Sequence, residues 1–524
     1  MRLIKQNMVT GLLLLLVLSL SACIAAPSSS DEAAATESQE QAAETTLNVA
    51  LPNDINTLYV PETNNRIVRN ALQQMYNSLV WLNNDGDLVP ALAESWEVSE
   101  DGTEYTFMLR QGVTFHNGEP FNAEAVVFSW ENALEAYRGN KWDDAQSVEA
   151  IDEFTVKMTT EKPDPIFLRQ MADEWAMIPP VYFAEVGAEG FAENPVGTGA
   201  FRFVEWVKGD SLVLEANPDY WETDLSLADN LVFRIVTESA TRVAGIQTGQ
   251  LDIVSRLSAA EADSLRGVDG IEIVEYAVDR VFYIGFNNRT TGVGTPIENQ
   301  LVRQAMNYAV DRQAIVDAIF DGKARLSASL IGPSNLGFDE SLTPYPYDPA
   351  KATELLAEAG YADGFTIDYV CPTDAYDSFD QVCEAIQSYL AEVGIDAQLE
   401  LIPSSEHWGL GKQLQYAPLF GDGWSAAAGE AFARVDGTLS SRDTYSVWAD
   451  EDIYALVDEI FTTVDDVKRA ELYGQLAQQT HDDPPFIYLY EPIAFEATQG
   501  NIQGYSPRAS EQFYLKDVVI GSGE

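Results

Sequence analysis

Twice along this chain a strand-like run is followed by a helical stretch and a second strand-like run, and no other feature restricts the fold as much. Phe365 to Val370 alternates like a strand, Ser378-Phe-Asp-Gln381 reads as a capping box opening a helix, Gly394 stops it, and Ile395 to Ile402 is strand-like again. The earlier unit runs from Leu231 to Val236, through a helical stretch to Gln247, past Gly249 and into Leu251 to Ser255. Parallel strands joined by a helix form right-handed crossovers, so each unit predicts a parallel sheet covered by helices. Two such units, far apart in sequence, predict an α/β chain with two lobes.

Other segments carry their own start and stop signals. A single helix is expected over Asn299 to Phe320, with Leu301, Val302, Ala305, Met306, Ala309 and Val310 on one face. Another is expected over Pro349 to Ala359, capped by Asp348 and stopped by Gly360. Between Leu88 and Phe128 the pattern is one of hairpins, with Asp85-Gly86 and Asp101-Gly102 as turn pairs. The acidic run Asn83 to Asp87 lacks the downstream glutamate of a calcium loop and reads as a plain turn.

Arg2 and Lys5 precede an apolar run, Gly11 to Leu20, that is shorter than the roughly 20 residues a membrane-spanning helix needs, so it reads as a signal peptide over residues 1–22. It ends in Leu20-Ser21-Ala22-Cys23, which resembles the bacterial lipobox and predicts lipid attachment at Cys23. From Ile24 to Thr46 the chain is Ala, Ser, Glu, Gln and Thr, too poor in apolar surface to fold, and is expected to be a tether. No later segment is long and apolar enough to span a bilayer, so a soluble body is expected; it is taken to be a monomer, extracytoplasmic, and anchored at the outer face of the cytoplasmic membrane or in the periplasm by the lipid on Cys23.

That body is long enough for two or three domains with real cores. The formal charge is -53; removing Arg2 and Lys5 with the signal and the five acids from Asp31 to Glu44 leaves -50. Such a surface repels nucleic acid and suits a salty or alkaline exterior. Cys371 and Cys383 are the only cysteines of the body, and in an oxidising compartment they predict a disulfide, with two free buried thiols as the alternative.

The sequence offers little to catalysis. It contains no Gly-x-Ser-x-Gly, no His-Glu-x-x-His and no Gly-x-x-x-x-Gly-Lys-Ser/Thr, and its three histidines, His116, His407 and His481, are scattered. No catalytic residue, metal site or cofactor is predicted. It does carry 10 Trp and 23 Tyr, several of them outside the clearest helices, as at Trp142, Trp175, Trp221, Trp408, Trp424 and Trp448. In a cleft such rings form walls for sugars or peptide side chains.

Ala91 to Phe121, ALAESWEVSEDGTEYTFMLRQGVTFHNGEPF, resembles the signature of the family 5 extracellular solute-binding proteins, the oligopeptide, dipeptide and nickel binding components of ABC importers. The resemblance continues through Asn122 to Phe128, Val196 to Phe203, Ala216 to Trp221, Val302 to Arg312 and Tyr347 to Ala352, and so spans the mature chain. It implies a two-lobed fold of periplasmic-binding type II with a subdomain inserted in lobe I. Lobe I is then expected at residues 47–82, 195–286 and 493–524, the insertion at 83–194, and lobe II at 287–492. The solute would be enclosed between the lobes and delivered to a membrane permease.

In peptide-binding relatives the loop matching Phe420 to Phe432 carries a tryptophan and, shortly after, an aspartate that takes the peptide's amino group. Trp424 matches the tryptophan, whereas Ala427 stands where the aspartate is expected. Asp422 and Glu430 are the nearby acids that would replace it. Trp424 is therefore expected to stack on the solute, with Tyr445 and Trp448 as further wall residues and His407 as the contributor to a nickel or metal-chelate site. A peptide is the expected solute and an oligosaccharide the rival. A secreted hydrolase and a surface sensor or adhesin remain as other classes for the same fold.

Overall fold

The strand Phe486–Gln499 organises the molecule. In this computed structural model, which describes residues 44–63, 65–84, 86–136, 145–426, 429–443 and 445–521, it is the longest strand and belongs to two halves of one twelve-stranded sheet. The signal, Cys23, most of the tether, Asp85, Trp142 and Ala427 lie outside the described residues. The first part of the strand pairs with Arg280–Phe286, from Phe282↔Tyr490 to Gly285↔Phe486. The second part pairs with Ile271–Ala277, from Ala277↔Ile493 to Ile271↔Gln499. The change of partner falls at Pro492, a residue with no N–H to give to a ladder, and proline is confined in sheets to such irregular places.

On the lobe I side, Thr46–Leu51 lies between Asn230–Ile235 and Ile253–Leu257 and is parallel to both. The early strand–helix–strand unit therefore crosses over an intervening strand instead of pairing its own two strands. On the lobe II side, Phe365–Pro372 pairs in parallel with Ile395–Ile402 and with Leu419–Ser425, and the last of these pairs antiparallel with Arg280–Phe286. A separate four-stranded sheet, formed from Ala93–Val98, Glu104–Leu109, Thr155–Thr160 and Ala145–Asp152, encloses its own core of Phe107, Trp130, Phe167 and Trp175. It is the inserted subdomain.

The chain passes between the lobes at Val278–Arg280 and again at Pro492. The strand Arg280–Phe286, expected in lobe I, packs in lobe II, because Val281, Phe282 and Ile284 join the core built from Ile367, Phe379, Ile386 and Tyr490. Two local expectations also change. The expected helix from Asn299 to Phe320 is two helices, Gln300–Ala309 and Arg312–Phe320, since Asp311 caps the second by accepting from the Ala314 amide at 3.0 Å. Ser378 precedes the helix Phe379–Glu392 but makes no capping bond, because its backbone is left-handed at φ 55°.

Cys371 and Cys383 are disulfide-bonded, tying the strand Phe365–Pro372 to that helix. Among the described residues no helix is long and apolar enough to cross a membrane.

Candidate ligand-binding cleft

The parallel strands of both lobes end at the pivot. Thr46–Leu51 and Ile253–Leu257 run antiparallel to the second half of the long strand, so their carboxyl ends lie toward Pro492. In lobe II, Ser425 at the end of its strand pairs with Arg280, the first residue beyond the crossing. In α/β sheets ligands bind outside the carboxyl ends of the strands. Here two such rows meet at one crossing, which places the candidate cleft there.

Trp424 stands at the end of the lobe II row, half-buried. Its ring meets Tyr445 edge-on, 5.6 Å between centroids, and rests on helix Phe432–Leu439 at Gly437, where an added Cβ would come within 2.2 Å of the indole. The glycine that accommodates this ring therefore lies in the next helix and not in the loop around the tryptophan. The Trp424 carbonyl accepts from Arg434 Nε at 2.9 Å. The same buried guanidinium pairs with Asp279 at the lobe crossing, so the tryptophan strand and the pivot share one anchor.

Asp422 is 3% exposed and sits beneath Trp424 within lobe II. It accepts from the Tyr376 hydroxyl at 2.8 Å and faces the Tyr416 hydroxyl and His407 Nε2, each at 3.4 Å. Burial, and then this carboxylate, raise the hydroxyl pKa of Tyr376, Tyr416 and Tyr283 above the ordinary tyrosine value. His407 is fully enclosed, its ring 4.6 Å from that of Tyr416. Asp422, Trp424, Tyr445 and Trp448 share the lining of a cavity with room for about a single water. These residues are brought together, but around an internal void too small for a solute.

Glu430 does not replace the missing aspartate. It is 2% exposed and bound by Arg469 through two hydrogen bonds of 3.0 and 2.6 Å, with Arg169 of the inserted subdomain at 3.4 Å. Two guanidinium groups already use its charge. Trp448 is likewise core, 3% exposed with Arg303 4.8 Å above its ring. Among the described residues no group of acidic, histidine and cysteine side chains is placed to hold a metal ion.

Sequence reasoning missed the charged residues gathered around the pivot. Glu511 is bonded by Arg256 at 3.0 Å and faced by Arg280 at 3.9 Å. A signal for them did exist: with 30 basic residues against 83 acidic ones, arginines gathered at the ends of strands are unusual in this chain.

The comparisons with known proteins agree with this geometry. The model of the bacterial extracellular solute-binding proteins, family 5, matches residues 87–446. Heme-binding protein A of Haemophilus influenzae is 30% identical over 479 residues, 84% of this chain and 86% of that protein. Glutathione-binding protein GsiB of Pectobacterium atrosepticum is 30% identical over 491 residues, 90% and 93% of the two chains. The solved structure of HbpA2 from Haemophilus parasuis superposes with a TM-score of 0.83 at 27% identity, covering 91% of this chain and all of that one. With its two lobes, its inserted subdomain and a family match across most of its length, the chain belongs to the bacterial extracellular solute-binding proteins of family 5.

Proposed function

We propose that this protein captures a peptide-like solute between its lobes and delivers it to the permease of an ABC importer, held at the membrane by a lipid on Cys23. The observation that carries this reading is the facing of two rows of strand ends across a pair of chain crossings, an arrangement made for enclosing a solute and releasing it by rotation. Trp424 is the wall residue in contact with the solute. Asp422, His407 and Trp448 hold the strand and ring in place from behind, and Glu430 joins the lobe to the inserted subdomain. His407 is too deeply enclosed to serve a metal chelate.

The relatives named for heme and glutathione support a small organic solute of peptide size or somewhat larger. An oligosaccharide is the second reading, favoured by the absence of an aspartate at Ala427. Native mass spectrometry of the mature protein, followed by denaturation and identification of the released solute, tests both. A released peptide is expected, and a released neutral sugar overturns the assignment.

A further inference from the structure

Two arginines from separate segments meet one carboxylate at the pivot, and a third lies beside them. Arg256 is the last residue but one of the strand Ile253–Leu257, Arg280 begins the strand Arg280–Phe286, and Arg66 begins the helix Arg66–Leu72. Arg256 Nη2 is 3.0 Å from Glu511 Oε1, Arg280 Nη2 is 3.9 Å from its Oε2, and Arg66 donates to the Ser510 carbonyl at 3.0 Å. Glu511 is nearly buried, yet these three cations hold its pKa below the usual glutamate value against the opposing effect of burial. Arg256 and Arg280 against the single carboxylate of Glu511 give the cluster an excess of positive charge, in a chain whose net charge is -53.

The neighbouring acids do not cancel it. Asp279 is paired with the buried Arg434, and Glu491 with Arg325 at 2.5 Å. Glu496, bonded by the Tyr276 and Tyr505 hydroxyls, has its pKa pushed up by burial to about 7. Among the described residues Glu511 is the acid that Arg256 bonds and Arg280 faces.

Access and backbone geometry point the same way. The Arg256 and Arg280 side chains retain 44% and 23% exposure, against 13% for Glu511. Arg280 lies 5.5 Å over the Tyr376 ring, which fixes its plane. Arg256 and Glu511 both adopt left-handed backbone, at φ 54° and 64°, a conformation these residue types disfavour and one that gathers at functional sites. Two strained residues paired with each other across the strand ends mark a built feature.

We propose that Arg256 and Arg280, with Arg66 beside them, form an anion subsite of the cleft that receives a carboxylate of the solute. The subsite rests on the peptide reading above and deepens it. In a chain that lacks the aspartate for a peptide's amino group, recognition shifts to the carboxyl end. Planar guanidinium pairs bind a carboxylate through two parallel hydrogen bonds, which selects for it geometrically as well as by charge.

The test is equilibrium dialysis of the mature protein, stripped of solute, against a random tri- to pentapeptide library in free-acid form and the same library amidated at its C-terminus. Retained peptides are counted by mass spectrometry. The wild type is expected to retain the free acids at least about tenfold better, in line with loss of a charge-assisted bond. Arg280→Gln and Arg256→Gln abolish that preference, and Arg280→Lys keeps part of it; urea midpoints of each variant separate this from misfolding. Equal retention of acid and amide overturns the subsite while leaving the peptide reading intact. Retention of neither library overturns the peptide reading and the subsite with it.

Discussion

Arg169 Nε of the inserted subdomain lies 3.4 Å from Glu430 Oε1 of lobe II, and Arg469 holds the same carboxylate at 2.6 Å from within that lobe. The residue once expected to anchor a solute instead joins two bodies of the fold. Glu430→Gln leaves the almost fully buried Arg469 with only the exposed Asp466 as counter-charge and is expected to lower stability in urea by about 2 to 3 kcal/mol. Arg169→Gln leaves the Glu430–Arg469 pair intact. It is expected to cost under about 1 kcal/mol and to increase the radius of gyration in small-angle X-ray scattering as the subdomain loosens its hold on lobe II.

Gly437→Ala places a Cβ within 2.2 Å of the Trp424 indole. The helix backbone at this position cannot move without disturbing Arg434, so the ring must tilt. Overpacking of this kind costs about 1 to 3 kcal/mol. The change is expected as an altered near-ultraviolet dichroism signal together with weaker binding of the co-purifying solute.

The bond between Cys371 and Cys383 closes a loop with a sequence separation of 12. Chain entropy alone then assigns it about 3 kcal/mol, so the double variant Cys371→Ala/Cys383→Ala should lose about that much stability. The sulfurs also lie under Gly421, where a Cβ would approach Cys371 Sγ to 2.4 Å. Gly421→Ala is expected to fold poorly in the oxidised protein, as judged by soluble yield.

Glu496 gives a pH dependence with a definite sign. Burial raises its pKa from 4.5 to about 7 in the folded state, so the folded protein holds this proton more tightly than the unfolded chain. The contribution is full below pH 4.5 and is lost as pH rises toward 7, amounting to about 3 kcal/mol across that window. Glu496→Gln should flatten this part of the profile. The measurement is the urea midpoint of wild type and variant at intervals from pH 4 to 8.

Local signals in the sequence carried much of the architecture. Strand alternation at Phe365 to Val370, the stop at Gly394 and the Asp348-Pro349 helix start all act within a few residues, and the structure has elements at each. What was hidden depends on approach in space. Asp311 reads as an ordinary polar residue on a long helix until its side chain is seen capping a new one. Glu430 looked available because Arg169 and Arg469 are remote in sequence, and Arg256, Arg280 and Glu511 could not be grouped before the strand order was known. Trp424 is singled out in the sequence by its match to the tryptophan of peptide-binding relatives, whereas the glycine beneath it, Gly437, lies in the following helix and is legible only in the structure.

Pro492 sits where the shared strand passes from one half of the sheet to the other. A torsion bar works best when its middle segment can twist without shedding load. A residue with no amide hydrogen has no ladder bond to break on the donor side when the lobes turn against each other. Any turn of one lobe against the other is thus carried as torque along a backbone that runs unbroken through Pro492.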